Sequence, residues 1–300
     1  KKYEIMKFCF IVNPNSGVKK SLNIFEQVEN VFRSKNITPD LFITEHRGHA
    51  IDIIKNIDID SYKGIIIIGG DGTFHEVVNG LFQRTDNKTL PIGVIPGGSG
   101  NSFLYDNFTN DPLLISEQIL NLNKRSIDII EVKTDSEKLY SINLTGWGLV
   151  TDIGYFAEKN RWLGPSRYTI ISIIEIIKNK IRNATLSYND KNIKKEFTFV
   201  IACNTKHVGK GMKMAPNAQI DDGLLDLIIV NGKISRLKLF KTLPKLFKGT
   251  HIDDPEVEYL QLKEFSLHTN SNDMLNIDGE LKGTTPIEVK IIPKAIKIFN

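Results

Sequence analysis

Residues 64 to 80 read GIIIIGGDGTFHEVVNG. No other stretch restricts this chain so tightly. The four isoleucines form a strand, and the glycines that follow force a turn into a helix. Gly69 and Gly70 let the backbone turn sharply and approach a ligand closely. Gly72 and Thr73 open the helix, whose first free N–H groups favour phosphate oxygens. An aspartate at that turn, Asp71, can take a proton from a hydroxyl or hold a metal beside phosphates. A carboxylate among phosphate-binding amides points to phosphoryl transfer to an alcohol.

The first third of the chain alternates strand and helix patterns. Lys7 to Val12 is a short apolar run that ends at NPNSG, Asn13 to Gly17. A helical pattern follows, with Leu22, Phe25, Val28, Val31 and Phe32 expected on one face. Leu41 to Thr44, Gly64 to Ile68 and Pro91 to Ile95 read as further strands, with helices over 48–56 and 73–82 between them. The last of these strands closes on PGGSGN, Pro96 to Asn101. This rhythm predicts a doubly wound, mainly parallel sheet. Ligands in such sheets bind at the carboxyl ends of the strands, where all four loops are expected to converge.

Near Ser126 the rhythm changes. Strand patterns dominate from there, including Leu139 to Leu144, Thr185 to Tyr188, Glu196 to Ala202 and Leu224 to Val230. Helical stretches interrupt at about Tyr168 to Arg182 and Ser235 to Phe247. The expected organisation is an α/β domain over 1–126, rejoined by about 293–300, and a mainly antiparallel β domain over 127–292. The active site is expected in the cleft between them. Three hundred residues accommodate two domains. A net charge of +4 suits anionic substrates or surfaces without demanding them. Cys9 and Cys203 make neither a disulfide framework nor a metal spacing, which suggests a reducing compartment. No leader pattern and no bilayer-length apolar run is read, so a cytoplasmic location is expected.

GGDGTFHEVVNG, with NPNSG before it and PGGSGN after it, resembles the diacylglycerol kinase catalytic domain shared by bacterial lipid kinases, sphingosine kinases and ceramide kinases. The likeness continues through Trp147 and Gly148, the EKxRxLGxxRY pattern from Glu158 to Tyr168, DGLLDL from Asp222 to Leu227, and the late DGE of Asp278 to Glu280. GGDGT alone also occurs in NAD kinases and phosphofructokinases, whose fold the first domain would share. PGGSGN and EKxRxLGxxR are closer to the sphingosine and ceramide kinase branch.

The resemblance implies an ATP-dependent lipid kinase that uses Mg²⁺, with Asp71 as general base toward a primary lipid hydroxyl. It implies a nucleotide site from Asn13, Asn15, Ser16, Gly17, Thr44, Gly69, Gly70, Gly72, Thr73, Glu76, Gly97, Gly98 and Ser99, with Arg161 and Arg167 on the phosphates. Asp278 and Glu280 would help hold the magnesium, and Asp222 a second, structural metal. Asp71, Ser99 and Asp152 would meet the lipid. Bland readings stand beside these. Asp71 could cap its helix, Glu76 could be solvated or pair with an arginine, and the two arginines could lie on the surface. NIDGE could be a hairpin turn, and Asp152 could be structural. A GxxxxGK[ST] loop is absent.

In sphingosine kinases a second aspartate, two residues beyond the one matched by Asp152, meets the sphingoid amine. Here that position is Gly154. The change is compatible with a neutral lipid such as a diacylglycerol or a ceramide. Gly232 to Gly249 carries six basic residues, no acidic ones and seven large apolar ones. It could seat the protein on an anionic membrane, or be a helix with one core face and one solvated basic face. Peripheral membrane contact is expected and nucleic acid is not, while homodimerisation stays open. The competing readings are an NAD-kinase-like enzyme of soluble substrate and a non-catalytic lipid- or nucleotide-binding protein.

Overall fold

The computed structural model describes residues 6–16, 20–97, 102–105, 109–178, 180–209 and 211–300. The chain divides into two compact units, Lys1–Ile127 with Lys294–Asn300, and Asp128–Pro293.

The first unit contains β1 (Met6–Val12), α1 (Ser21–Ser34), β2 (Ile37–Ile43), α2 (His49–Asn56), β3 (Ile65–Gly69), α3 (Asp71–Phe82), β4 (Ile92–Pro96), α4 (Ser102–Tyr105) and α5 (Pro112–Leu120). Its strands run parallel in the order β4-β3-β1-β2. The end of the chain adds a further parallel strand at the β4 edge, with Ile298 opposite Ile92. Residues on both faces of the sheet are buried, which is why β1 and β3 read as unbroken apolar runs rather than alternating ones. Phe8, Phe10, Val12, Ile66 and Ile68 share one core with Phe25, Val28 and Phe32 of α1 and Ile115 and Ile119 of α5. Phe10 meets Phe25 and Phe32 edge-on, at 5.5 and 5.1 Å between ring centres.

Leu22 departs from expectation and is exposed, while Ser21, Phe25, Val28 and Phe32 are buried. The buried residues recur at steps of four, three and four, and Leu22 lies off that stripe. Ile24 packs against the core on the other flank.

The second unit starts within β5 (Lys124–Lys133). It continues through β6 (Lys138–Ser141), β7 (Leu144–Gly148), α6 (Leu149–Lys159), α7 (Arg167–Lys178), β8 (Arg182–Tyr188), β9 (Lys191–Cys203), β10 (Leu225–Asn231), α8 (Arg236–Thr242), α9 (Lys245–Lys248), β11 (Val257–Leu262), β12 (Glu264–Thr269), β13 (Met274–Ile277), β14 (Glu280–Thr284) and β15 (Ile287–Phe299). Pairing here is antiparallel, in the order β14-β13-β7-β9-β8-β12-β15, and β10 joins β9 to β11. Strands β9 and β10 alternate. Val200, Ala202, Leu227 and Ile229 enter one core with Trp147 and Phe197. Ile201, Cys203, Ile228 and Val230 enter another with Leu149, Ile176 and Leu239 from the helices. This two-sided alternation is what a sandwich-like layer requires.

Two sequence expectations are corrected here. Leu139 to Leu144 is not one strand, because the chain breaks at Ile142 and Asn143 between β6 and β7. The basic stretch from Ser235 is not one helix either. It divides into α8 and α9 at Pro244, which lacks the N–H needed to continue a helix.

Candidate active site

In the first unit the strand ends are tied to one another by hydrogen bonds. The amide of Asn13 donates to the carbonyl of Ile68 at 3.1 Å, and its Nδ2 donates to Thr73 Oγ1 at 3.2 Å. Asn13 Oδ1 accepts from the amide of Asn15, and its carbonyl from that of Ser16, so the loop after β1 is wound around one asparagine. The amide of Thr44 donates to Val12 at 2.9 Å, and that of Gly97 to Gly69 at 2.8 Å. Asn13, Asn15, Ser16, Thr44, Gly69, Gly70, Asp71, Gly72, Thr73 and Gly97 therefore gather at one sheet edge.

Glycine is needed at two of these points. A Cβ on Gly69 would lie 2.6 Å from Thr73 Oγ1, and one on Gly97 would lie 2.9 Å from the amide nitrogen of Gly69. Gly17, Gly98 and Ser99 lie outside the described residues, as does the side chain of Arg161.

Asp71 is the first residue of α3, and Gly70 precedes it as the N-cap. Its carboxylate accepts from the amides of a separate element, α4. Oδ2 accepts from the amide of Ser102 at 2.8 Å and Oδ1 from that of Phe103 at 3.4 Å. The carboxylate is thus held in a fixed orientation beside the opening of a twelve-residue helix. The N-terminus of that helix favours an anion.

Glu76 has partners that no local pattern marks. It is buried, and its two oxygens accept from the amides of Gly48, at 2.7 Å, and Ala50, at 3.2 Å. It satisfies amides at the amino end of α2 from across the helix pair.

In the second unit Asp278, expected as a magnesium ligand, is engaged by the protein itself. It occupies the two-residue turn between β13 and β14, with φ of 52°, and Gly279 follows at 89°. Its Oδ1 accepts from Ser141 Oγ and the amides of Asn143 and Leu144, at 2.8, 2.8 and 3.0 Å. Its Oδ2 accepts from the amide of Ile142 at 2.9 Å. The hairpin reading of NIDGE is therefore the observed one, and the carboxylate holds the break between β6 and β7. Glu280 opens β14 and forms a 2.8 Å ion pair with Lys282. Asp222 Oδ1 accepts from the amide of Leu224 at 3.0 Å. Burial pushes the Asp222 carboxyl above the usual range, and the charges of Asp128 and Asp221 add to the rise.

Among the described residues no group of three or more His, Cys, Asp or Glu is placed to hold a metal ion. Magnesium commonly takes only one or two carboxylates, with phosphate oxygens and water filling the rest. By that standard a carboxylate such as that of Glu280 fits such an ion, while that of Asp278 already accepts from one hydroxyl and three amides.

Arg167 lies 3.3 Å from Glu158 and 4.9 Å from the Tyr168 ring centre. Asp152 is held by Arg182, whose Nη2 is 2.8 Å from both carboxylate oxygens. Sequence reasoning missed Arg182 and the Ser102 amide. Each acts on a residue about 30 positions away, so no local pattern marks it.

The described residues thus join a parallel α/β unit, with glycine turns and an oriented aspartate at its strand ends, to an antiparallel β unit. Residues 7–132 match the diacylglycerol kinase catalytic domain, and residues 146–300 match the YegS C-terminal NAD kinase beta sandwich-like domain. The chain belongs to the diacylglycerol kinase catalytic-domain family of lipid kinases. It is 30% identical to sphingoid long chain base kinase 4 of Schizosaccharomyces pombe, over 96% of this chain and 73% of that one. It is 28% identical to a diacylglycerol kinase of Bacillus subtilis, over 93% and 91%. A solved diacylglycerol kinase structure from Bacillus anthracis superposes with a TM-score of 0.78 at 21% identity, covering 100% of this chain and 98% of that one.

Proposed function

We propose that this protein transfers the γ-phosphoryl group of ATP to a primary hydroxyl of a membrane lipid. The observation that carries the reading is the placement of Asp71, oriented by Ser102 and Phe103 at the head of α3 among mutually bonded glycine turns. Its family membership supports the lipid. Asp71 takes the hydroxyl proton as the oxygen attacks phosphorus. Backbone amides at the α3 terminus stabilise the charge on the transferred group. Arg167 is the described arginine assigned to the phosphates, at a site where a planar fork suits them. Glu280 would contribute a carboxylate to a magnesium ion, which would supply further charge neutralisation at the phosphates.

Membrane contact has its own support. Ile170, Ile173, Ile174 and Ile177 of α7 are exposed, as are Leu237 of α8 and Phe247 of α9. Helices α7 and α8 pack together, and α8 and α9 carry Arg236, Lys238, Lys241, Lys245 and Lys248. An apolar stripe edged with cations suits an anionic bilayer surface.

The decisive experiment is transfer of labelled phosphate from ATP to diacylglycerol, ceramide, sphingosine and monoacylglycerol in micelles, with NAD alongside. The expected result is a labelled lipid, with Asp71→Asn lowering kcat by about 100-fold or more. Label in NAD alone would replace this reading with a soluble-substrate kinase. Full activity in Asp71→Asn would remove the base assignment.

A further inference from the structure

Helix α2 is held at both ends by side chains from α3 and the turn that follows it. At its amino end the buried Glu76 carboxylate takes the amides of Gly48 and Ala50. At its carboxyl end Arg84, two residues beyond α3, takes the last carbonyls. Its Nη1 donates to the carbonyls of Ile54, Ile57 and Lys55, at 2.6, 3.1 and 3.3 Å. Its Nε and Nη2 donate to the two oxygens of Asp86, at 2.9 and 2.6 Å. The Arg84 side chain is only 7% exposed. A carboxylate at the amino end of a helix and a guanidinium at the carboxyl end each oppose the dipole of that helix.

Between these two ends the helices touch. A Cβ on Gly80 of α3 would lie 2.9 Å from the Cβ of Ile54 and 3.0 Å from the carbonyl oxygen of Ile51. Helices α2 and α3 therefore pack as one body. What they carry gives that body a chemical use. Helix α3 begins with Asp71, and α2 is entered from residues 44–48. The Thr44 amide fixes the start of that loop on Val12 of β1. The Glu45 amide donates to His49 Nδ1 at 3.0 Å, which bonds the loop to the first turn of α2. The seat of α2 thus sets where the loop ends.

We propose that Arg84 is a positioning residue for the nucleotide, acting through α2. The proposal rests on the kinase reading above, with residues 44–48 beside the nucleotide. Arg84 lies at the end of α2 away from that loop. It holds α2 against α3, and so keeps residues 44–48 in register with Asp71. Phosphoryl transfer needs nucleotide and base at a fixed separation, and small misplacements are costly. A guanidinium suits the task because its planar fork serves three carbonyls and a carboxylate together, whereas an ammonium is a point charge with three donors.

The test uses the full chain with Mg²⁺ and a β,γ-imido analogue of ATP, titrated by calorimetry, alongside kcat and KM for ATP and for the lipid labelled best. Arg84→Gln is expected to raise the analogue Kd and the KM for ATP about tenfold, with kcat and the lipid KM changed by about twofold or less. Arg84→Lys keeps the charge without the fork and should fall between, at about threefold. Val28→Ala, in the core beneath α1, is the control for lost stability alone. Its urea midpoint should fall while its Kd stays unchanged. A folded Arg84→Gln that binds the analogue within about twofold of the unaltered chain would overturn the proposal, as would equal weakening in Val28→Ala. If Arg84→Gln does not fold, Arg84→Lys decides by the same limit. An unaltered chain that binds the analogue but labels no lipid would remove the lipid-kinase reading, and the titrations would still decide the role of Arg84. An unaltered chain that binds no analogue would remove both.

Discussion

Asp226 is fully buried on β10, where Tyr259 and Gln261 donate to one of its oxygens. Its other oxygen has no hydrogen-bond partner among the described residues. Burial pushes its carboxyl from 3.8 up to about 6, although the two donors work against the rise. The folded state therefore holds this proton more tightly than the unfolded chain. Below pH 4 both states are protonated and there is no penalty. As pH rises from about 4 to 6 the fold loses stability, by up to about 3 kcal/mol, and the loss then stays constant. Asp226→Asn should flatten that part of the profile in urea titrations from pH 4 to 7. An unchanged slope would show that Asp226 ionises normally. DGLLD was legible in the sequence as a motif, but it draws attention to Asp222. The burial that perturbs Asp226 comes from strands paired across the sheet. Glu76 teaches the same lesson. Its position on the first turns of α3 was readable, whereas its partners are amides of α2 reached only after the helices pack.

At the scale of elements, the break between β6 and β7 depends on a carboxylate from the far hairpin. Asp278 accepts from one hydroxyl and three amides there. Asp278→Ala would leave buried donors unmatched and should lower unfolding stability by about 3 kcal/mol. Unfolding by denaturant without added metal measures this directly. A variant of unchanged stability but raised magnesium requirement would restore the metal-ligand role. Residues 139 to 144 look like one strand because their side chains suit a strand. The interruption comes from Asp278, more than 130 residues later, which no local window includes. Gly69 and Gly97 lie at the opposite extreme, since glycine at a strand end is a strong local signal. The sequence pointed to them, and the structure supplies the reason in the 2.8 Å bond between their backbones.

For the whole molecule, no helix among the described residues is long and apolar enough to cross a membrane. The proposed contact of the α7–α9 surface with lipid would be governed by charge. Vesicles containing anionic lipid should bind the chain several-fold better than neutral ones, with the difference fading as salt rises. Ile173→Ser with Ile174→Ser should weaken vesicle binding and activity on vesicles while leaving activity on a short-chain soluble lipid unchanged. Equal binding to neutral vesicles would rule out the basic flank as the attractant. The parallel α/β architecture of the first unit, the antiparallel character of the second and the family were all legible in the bare chain. They rest on short-range regularities: apolar period, glycine turns, and motifs that keep their order along the chain. Which carboxylates are engaged became visible only in the folded molecule. There Glu76 serves a helix end, Asp278 a strand break, Asp152 pairs with Arg182, and Asp71 accepts from the amides of α4. An oxygen's availability depends on donors that folding brings from distant positions, and those donors leave no trace in the residues beside it.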